Sequence, residues 1–175
     1  MKILKIALND LAYLEEDFGS LVKSTRRKKK PKKNQSHLID IEFLKTLNEL
    51  EREEIDKKRK DRKYASFVVE VYAIVEQALE ELYEKTYKKS FKSKVKDNEK
   101  KLNKVIELEE ALNDKFEFGK TLDGSEILKV RNKVVHKKYS LKKSKEILGI
   151  KKRSKDLLEE LIDEMYDYLK SISKN

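Results

Sequence analysis

YASFVVEVYAIVEQALEELYEKTY, residues 64–87, is the stretch that sets the fold class. Its apolar residues Phe67, Val68, Val71, Tyr72, Val75, Ala78, Leu79 and Leu82 recur at threes and fours, which winds them into one broad stripe along a helix. A stripe that wide needs cover from several neighbours, so this helix is expected at the centre of a helical bundle. Immediately upstream, residues 51–63 (EREEIDKKRKDRK) are almost wholly charged, with acids placed three and four residues ahead of bases. Such pairs support a solvated helix that runs straight into residue 64, although the pattern sets no break and excludes none. Further upstream, Ser36 is a candidate cap for a helix carrying Ile41, Leu44, Leu47 and Leu50.

Outward from this centre, residues 3–23 predict a first helix with Leu4, Ala7, Leu11, Leu14, Phe18 and Leu21 on one face. Arg26, Arg27, Lys28, Lys29, Lys30, Lys32 and Lys33 then crowd around Pro31, the chain's only proline. Like charges at that density repel one another and are expected to form a loop. It reads either as a solvated linker or as a clamp on phosphates. On the other side, a basic connection over 88–96 leads to Asp97 or Asn98 as a cap and a helix over 99–113. Two glycines, Phe116, Phe118 and Thr121 mark residues 114–124 as an irregular loop. Asp123 or Ser125 should start the next helix, which continues past His136 towards Tyr139. After Gly149 and the cations Lys151, Lys152 and Arg153, Ser154 is the expected N-cap of a last helix over 155–171. Asp156 and Lys170 there complement the helix dipole. The expectation is an all-α bundle of four to six helices with a basic N-terminal loop, forming one domain: an N-terminal helical extension over 1–60 and a core over 61–175.

Composition agrees with that class. Gly 4 and Pro 1 are very few for 175 residues, and the charged 43% is dominated by Lys and Glu, both good helix formers. Forty-three Lys+Arg against 33 Asp+Glu give a net charge of +10, which favours polyanionic partners or a solvated lysine surface. No cysteine means no disulfide framework and no thiolate metal site. His37 and His136 are the only imidazoles and nothing clusters with them at ligand spacing, so no metal and no cofactor is expected. No apolar window approaches a membrane span, and the first residues lack the apolar run of a signal peptide. A cytoplasmic protein with no membrane partner is the expectation.

Candidate chemistry collects in Arg131-Asn132-Lys133-Val134-Val135-His136. At about 100° per residue, Ile127, Leu128, Val134 and Val135 share one side of a helix and Arg131 projects from its middle. Burying an unpaired guanidinium costs several kcal/mol, roughly, so Arg131 must meet an acid such as Glu76 or Glu126, a wet cleft, or an anionic ligand. Asn132 and His136 are four apart and therefore stacked on one flank of that stripe.

R-N-x-x-x-H within an all-helical chain resembles the signature of the HEPN domain family, many of whose members are metal-independent ribonucleases. Arg131, Asn132 and His136 match it position by position. Residues 71–83 (VYAIVEQALEELY) are similar to the family's early helix, in which a tyrosine-alanine pair, here Tyr72-Ala73, precedes a glutamate, here Glu76. The resemblance spans residues 64–169. It implies that Arg131, Asn132 and His136 are catalytic and Glu76 supporting, that two chains pair as a homodimer with their motifs facing, and that RNA is the substrate. A toxin or antiviral-defence role is implied as well. In one toxin branch a small nucleotidyltransferase antitoxin adenylates a tyrosine two residues beyond the histidine; here Tyr139 stands three beyond. Lys137 occupies a position where the family often has a small residue, and with Lys138 it adds positive charge for RNA.

The residue types suit this chemistry on their own terms. A histidine with an unperturbed pKa of about 6.5 can remove the ribose 2′-hydroxyl proton or donate to the departing 5′-oxygen. An arginine fork makes two charge-assisted hydrogen bonds to phosphate and keeps its proton. Two further readings stand beside catalysis: a non-catalytic RNA- or nucleotide-binding module of the same fold, and a helical protein whose basic surface meets an acidic partner. Tyr64, Tyr72, Tyr83, Tyr87, Tyr166 and Tyr168 read as core-boundary residues.

Overall fold

A computed structural model describes residues 1–24, 39–92, 104–137 and 140–174, with side chains for 1–21, 46–92, 104–135 and 140–174. The element order is α1 (Lys2–Ser24), α2 (Ile39–Tyr87), α3 (Lys104–Leu112), β1 (Phe116–Phe118), α4 (Glu126–Lys137), α5 (Leu141–Leu148), α6 (Ser154–Ser171) and β2 (Ile172–Lys174). The chain is an all-α bundle of six helices among the described residues, with one two-stranded ribbon.

The charged segment 51–63 does not break. α2 runs 49 residues without interruption, about 73 Å at 1.5 Å per residue. Its inner half is the centre of the bundle and touches α1, α3, α4, α5 and α6. Val68, Val71, Tyr72, Val75, Ala78, Leu79 and Leu82 are all buried there. Its outer half is different: every residue from 46 to 59 is exposed. That stretch is held by helical pairs of its own, such as Lys58 to Glu54 at 2.8 Å.

The division at residue 60 between extension and core does not hold for α1, which lies inside the core. Leu4, Ala7, Leu11 and Phe18 are buried against α2 and α6, and the Phe18 ring meets Tyr64 at 5.8 Å and Phe67 at 5.5 Å. Each of the buried Leu and Phe side chains contributes about 1.5–3 kcal/mol, which binds α1 to the bundle. The free-standing part is the outer arm of α2.

Three other corrections concern local structure. Residues 116–118 form β1, which pairs antiparallel with β2 at the far end of the chain, Phe116 opposite Lys174 and Phe118 opposite Ile172. Gly119 closes the ribbon: its N–H donates to Ser171 O at 3.2 Å, and a Cβ there would meet the Ser171 Cβ at 3.2 Å. Residues 141–148 form α5, between an Oγ of Ser140 that accepts the Lys143 N–H at 3.2 Å and Gly149 at φ 70. The Gly149 and Ile150 N–H groups return to Glu146 O and Lys145 O, a Schellman closure. Finally, Arg153 is the cap residue of α6 and Ser154 its first helical residue; Arg153 binds the Asp156 carboxylate through Nε and Nη2 at 2.7 and 2.8 Å. The expected start of α3 near residue 99 and the basic loop over 26–33 lie outside the described residues.

Candidate active site where α2, α3 and α4 meet

Ser125 starts the motif helix, as its spacing predicts: its Oγ accepts the Leu128 N–H at 3.3 Å. The approach to that helix is fixed from α3. Glu109, buried at 8% exposure, accepts the Thr121 hydroxyl at 2.9 Å and the Leu122 N–H at 3.3 Å. α4 therefore enters the bundle from an anchored turn, and Ile127, Leu128, Val130 and Val134 are buried beneath it. Val135, expected in the same stripe, is exposed, and Val130 takes its place in the core. Positions 127, 130 and 134 centre on one line of the helix by the repeat of about 100° per residue.

Arg131 sits beside that line, with a side chain 20% exposed. Its guanidinium lies over the Tyr72 ring, 4.7 Å from the centroid, a contact worth about 0.5–2 kcal/mol. Nη1 donates to Asn132 Oδ1 at 3.1 Å, and Nη2 reaches Glu76 Oε2 at 4.0 Å. Of the two acids that could face the arginine, Glu76 is the one that does; Glu126 approaches Lys152 at 3.7 Å instead. Glu76 is shared, since Lys104 Nζ from α3 stands 3.2 Å from it and also binds Glu80. Burial works against the charge on Lys104, but the hydrogen bonds to Glu80 and Glu76 outweigh it and hold its pKa above the ordinary lysine value. Glu76 is thus a carboxylate with two cationic neighbours, and the Arg131 contact is the longer one.

Below Arg131 the site continues into the core as a tyrosine ladder. Burial raises the Tyr72 phenol well above its usual range; the Arg131 charge opposes this and Glu76 and Glu109 add to it. Burial also raises Tyr168, with Glu109 again beside it. Both phenols stay protonated at any physiological pH, and the Tyr72 ring is rigid packing under the guanidinium.

The structure brings Arg131, Asn132 and Glu76 together. The backbone of His136 lies in α4, about 1.4 helical turns beyond Arg131. The side chains of His136 and Lys137, and the whole of Lys138 and Tyr139, lie outside the described residues, as do Arg26, Arg27, Lys28, Lys29, Lys30, Lys32 and Lys33. Sequence reading missed Tyr72, Lys104 and Glu80 as members of this site. Tyr72 was legible, being four residues before Glu76 and therefore on its face of α2. Glu80, four residues after Glu76, was legible in the same way, whereas Lys104 was not, because a long connection separates α2 from α3. Among the described residues no group of three or more His, Cys, Asp or Glu could hold a metal ion, and no helix is long and apolar enough to cross a membrane. Searches of protein-family models, of curated proteins and of solved structures found no match to this chain.

Proposed function

We propose that this chain is a metal-independent endoribonuclease of HEPN type, acting in the cytoplasm as a toxin or antiviral-defence effector. The observation that carries the reading is Arg131: a guanidinium at a helix surface, steered by Tyr72, Asn132 and Glu76, next to the turn that bears His136. In the proposed reaction the ribose 2′-oxygen attacks the adjacent phosphorus and the bond to the 5′-oxygen breaks. One imidazole takes the 2′-hydroxyl proton, a second protonates the departing 5′-oxygen, and Arg131 neutralises the crowded phosphate. One histidine per motif supplies one proton-transfer group, so the reading includes a homodimer with two motifs in one cleft. A separately encoded antitoxin, such as a small nucleotidyltransferase, would restrain it.

The test incubates purified protein with labelled RNA in excess chelator and compares wild type with His136→Ala and Arg131→Ala. Cleavage by wild type, lost in both variants, is expected. Equal cleavage by all three overturns the site, and cleavage that stops in chelator overturns the metal-free mechanism. RNA binding without product in any condition favours the non-catalytic module instead.

A further inference from the structure

Residues 57–63 (KKRKDRK) of α2 hold six cations and one acid, Asp61. That acid is already engaged: its Oδ1 accepts the Lys142 N–H at 2.8 Å, so Asp61 faces the first turn of α5. Lys57 and Lys58, four and three residues before it, lie on the same side of α2. Arg62 is next to it in sequence and exposed, and Lys142 comes from α5. The side chains of Lys57, Lys58 and Lys142 are 79%, 66% and 79% exposed. Their acidic neighbours Glu53, Glu54 and Glu146 sit one turn away on the same helices, and such exposed pairs exchange readily for other anions. This surface runs into the motif. Only residues 138–140 separate Lys137 of α4 from Leu141 of α5, a span of at most about 14 Å.

We propose that the α2–α5 junction is an RNA-docking surface that leads the phosphate backbone to the His136 end of α4. Cleavage of the docked strand rests on the ribonuclease reading; docking itself does not. Lysine is depleted from the cores of protein–protein interfaces, whereas mobile exposed cations suit sequence-independent contact with phosphates. A helix–helix contact through Asp61 positions this surface.

The test uses full-length protein carrying His136→Ala, so that RNA stays intact, and a labelled 20-nucleotide single-stranded RNA followed by fluorescence polarisation over a salt series. One set adds Lys57→Gln, Lys58→Gln, Arg62→Gln and Lys142→Gln. A control set of equal charge change adds Lys2→Gln, Lys85→Gln, Lys115→Gln and Lys174→Gln, which line a cavity of about 430 Å³ at the other end of α2. Each phosphate contact on a single strand contributes about 0.7 to the slope of log K against log salt, so losing four lowers it by nearly 3. The junction set is expected to weaken binding at least tenfold, with a slope lower by about 2–3, and the control set to change the slope by less than about 1. Equal losses in both sets, or an unchanged slope in the junction set, overturn the proposal. Photo-crosslinking of RNA to protein carrying only His136→Ala supplies a measurement that no folding defect can confound: adducts on residues 57–63 and 141–148 support the surface, and adducts confined elsewhere overturn it. If binding falls in the junction set while the wild type cuts no RNA, docking stands and the nuclease reading fails.

Discussion

Glu109→Ala tests whether the motif helix is anchored from α3. Glu109 is buried, and it receives the Thr121 hydroxyl and the Leu122 N–H at the entrance to α4. Alanine leaves the Leu122 amide without its acceptor in a residue 2% exposed, which costs about 1–3 kcal/mol. One buried methylene is also lost, at about 0.8 kcal/mol. The exposed Thr121 hydroxyl turns to water at little cost, and release of a buried carboxyl group offsets part of the loss. A net destabilisation of about 2 kcal/mol results, or roughly 4–8 °C in Tm for a domain of this size. Glu109→Gln keeps an acceptor oxygen and the volume, and should lose about a third as much. Urea denaturation gives the magnitude, and amide exchange at Leu122 gives the location. An alanine variant within about 0.5 kcal/mol of wild type, with Leu122 still protected, would refute the anchoring role.

Glu107 is 8% exposed and, among the described residues, neither of its carboxyl oxygens has a hydrogen-bond partner. Glu107→Met should therefore stabilise the fold by about 1–3 kcal/mol in urea denaturation, and a destabilised variant would mean the carboxyl group is satisfied in solution. Glu164 gives a pH-dependent effect. Burial raises its pKa above the usual 4.5, against the lowering effect of a hydrogen bond from the Ile127 backbone, and the nearby Glu126 charge raises it further. A raised folded pKa means the native state binds the proton more tightly than the unfolded chain does. Its contribution to stability is thus complete below about 4.5 and is lost as pH rises through the folded value. Glu164→Gln should raise Tm relative to wild type at pH 7, and the gain should shrink towards zero as pH falls to 4; a gain that is constant with pH would contradict this.

The helical class and the central place of residues 64–87 were legible because a wide stripe at threes and fours has one economical use. The continuity of α2 was open in the sequence, since charged helical pairs support a helix but do not state its ends. β1 escaped because FEF is three residues whose partner lies at the far end of the chain, and such a pairing leaves no local periodicity. α5 was missed although both of its ends were visible: Ser140 and Gly149 bracket eight residues whose charge masks a short inward face of Leu141, Ser144 and Leu148, the serine itself being polar. At the site, Arg131 was recognisable from being charged within an apolar stripe, and Glu76 from the upstream resemblance. Lys104, which competes with Arg131 for Glu76, belongs to a helix that only the fold brings near.

The end groups of cleaved RNA test most directly whether Arg131 and His136 act on a phosphodiester. Wild-type protein in excess chelator is predicted to leave 2′,3′-cyclic phosphate and 5′-hydroxyl termini, and His136→Ala to leave the RNA whole. Products with 3′-hydroxyl and 5′-phosphate ends, or the same cyclic products from His136→Ala, would contradict the account.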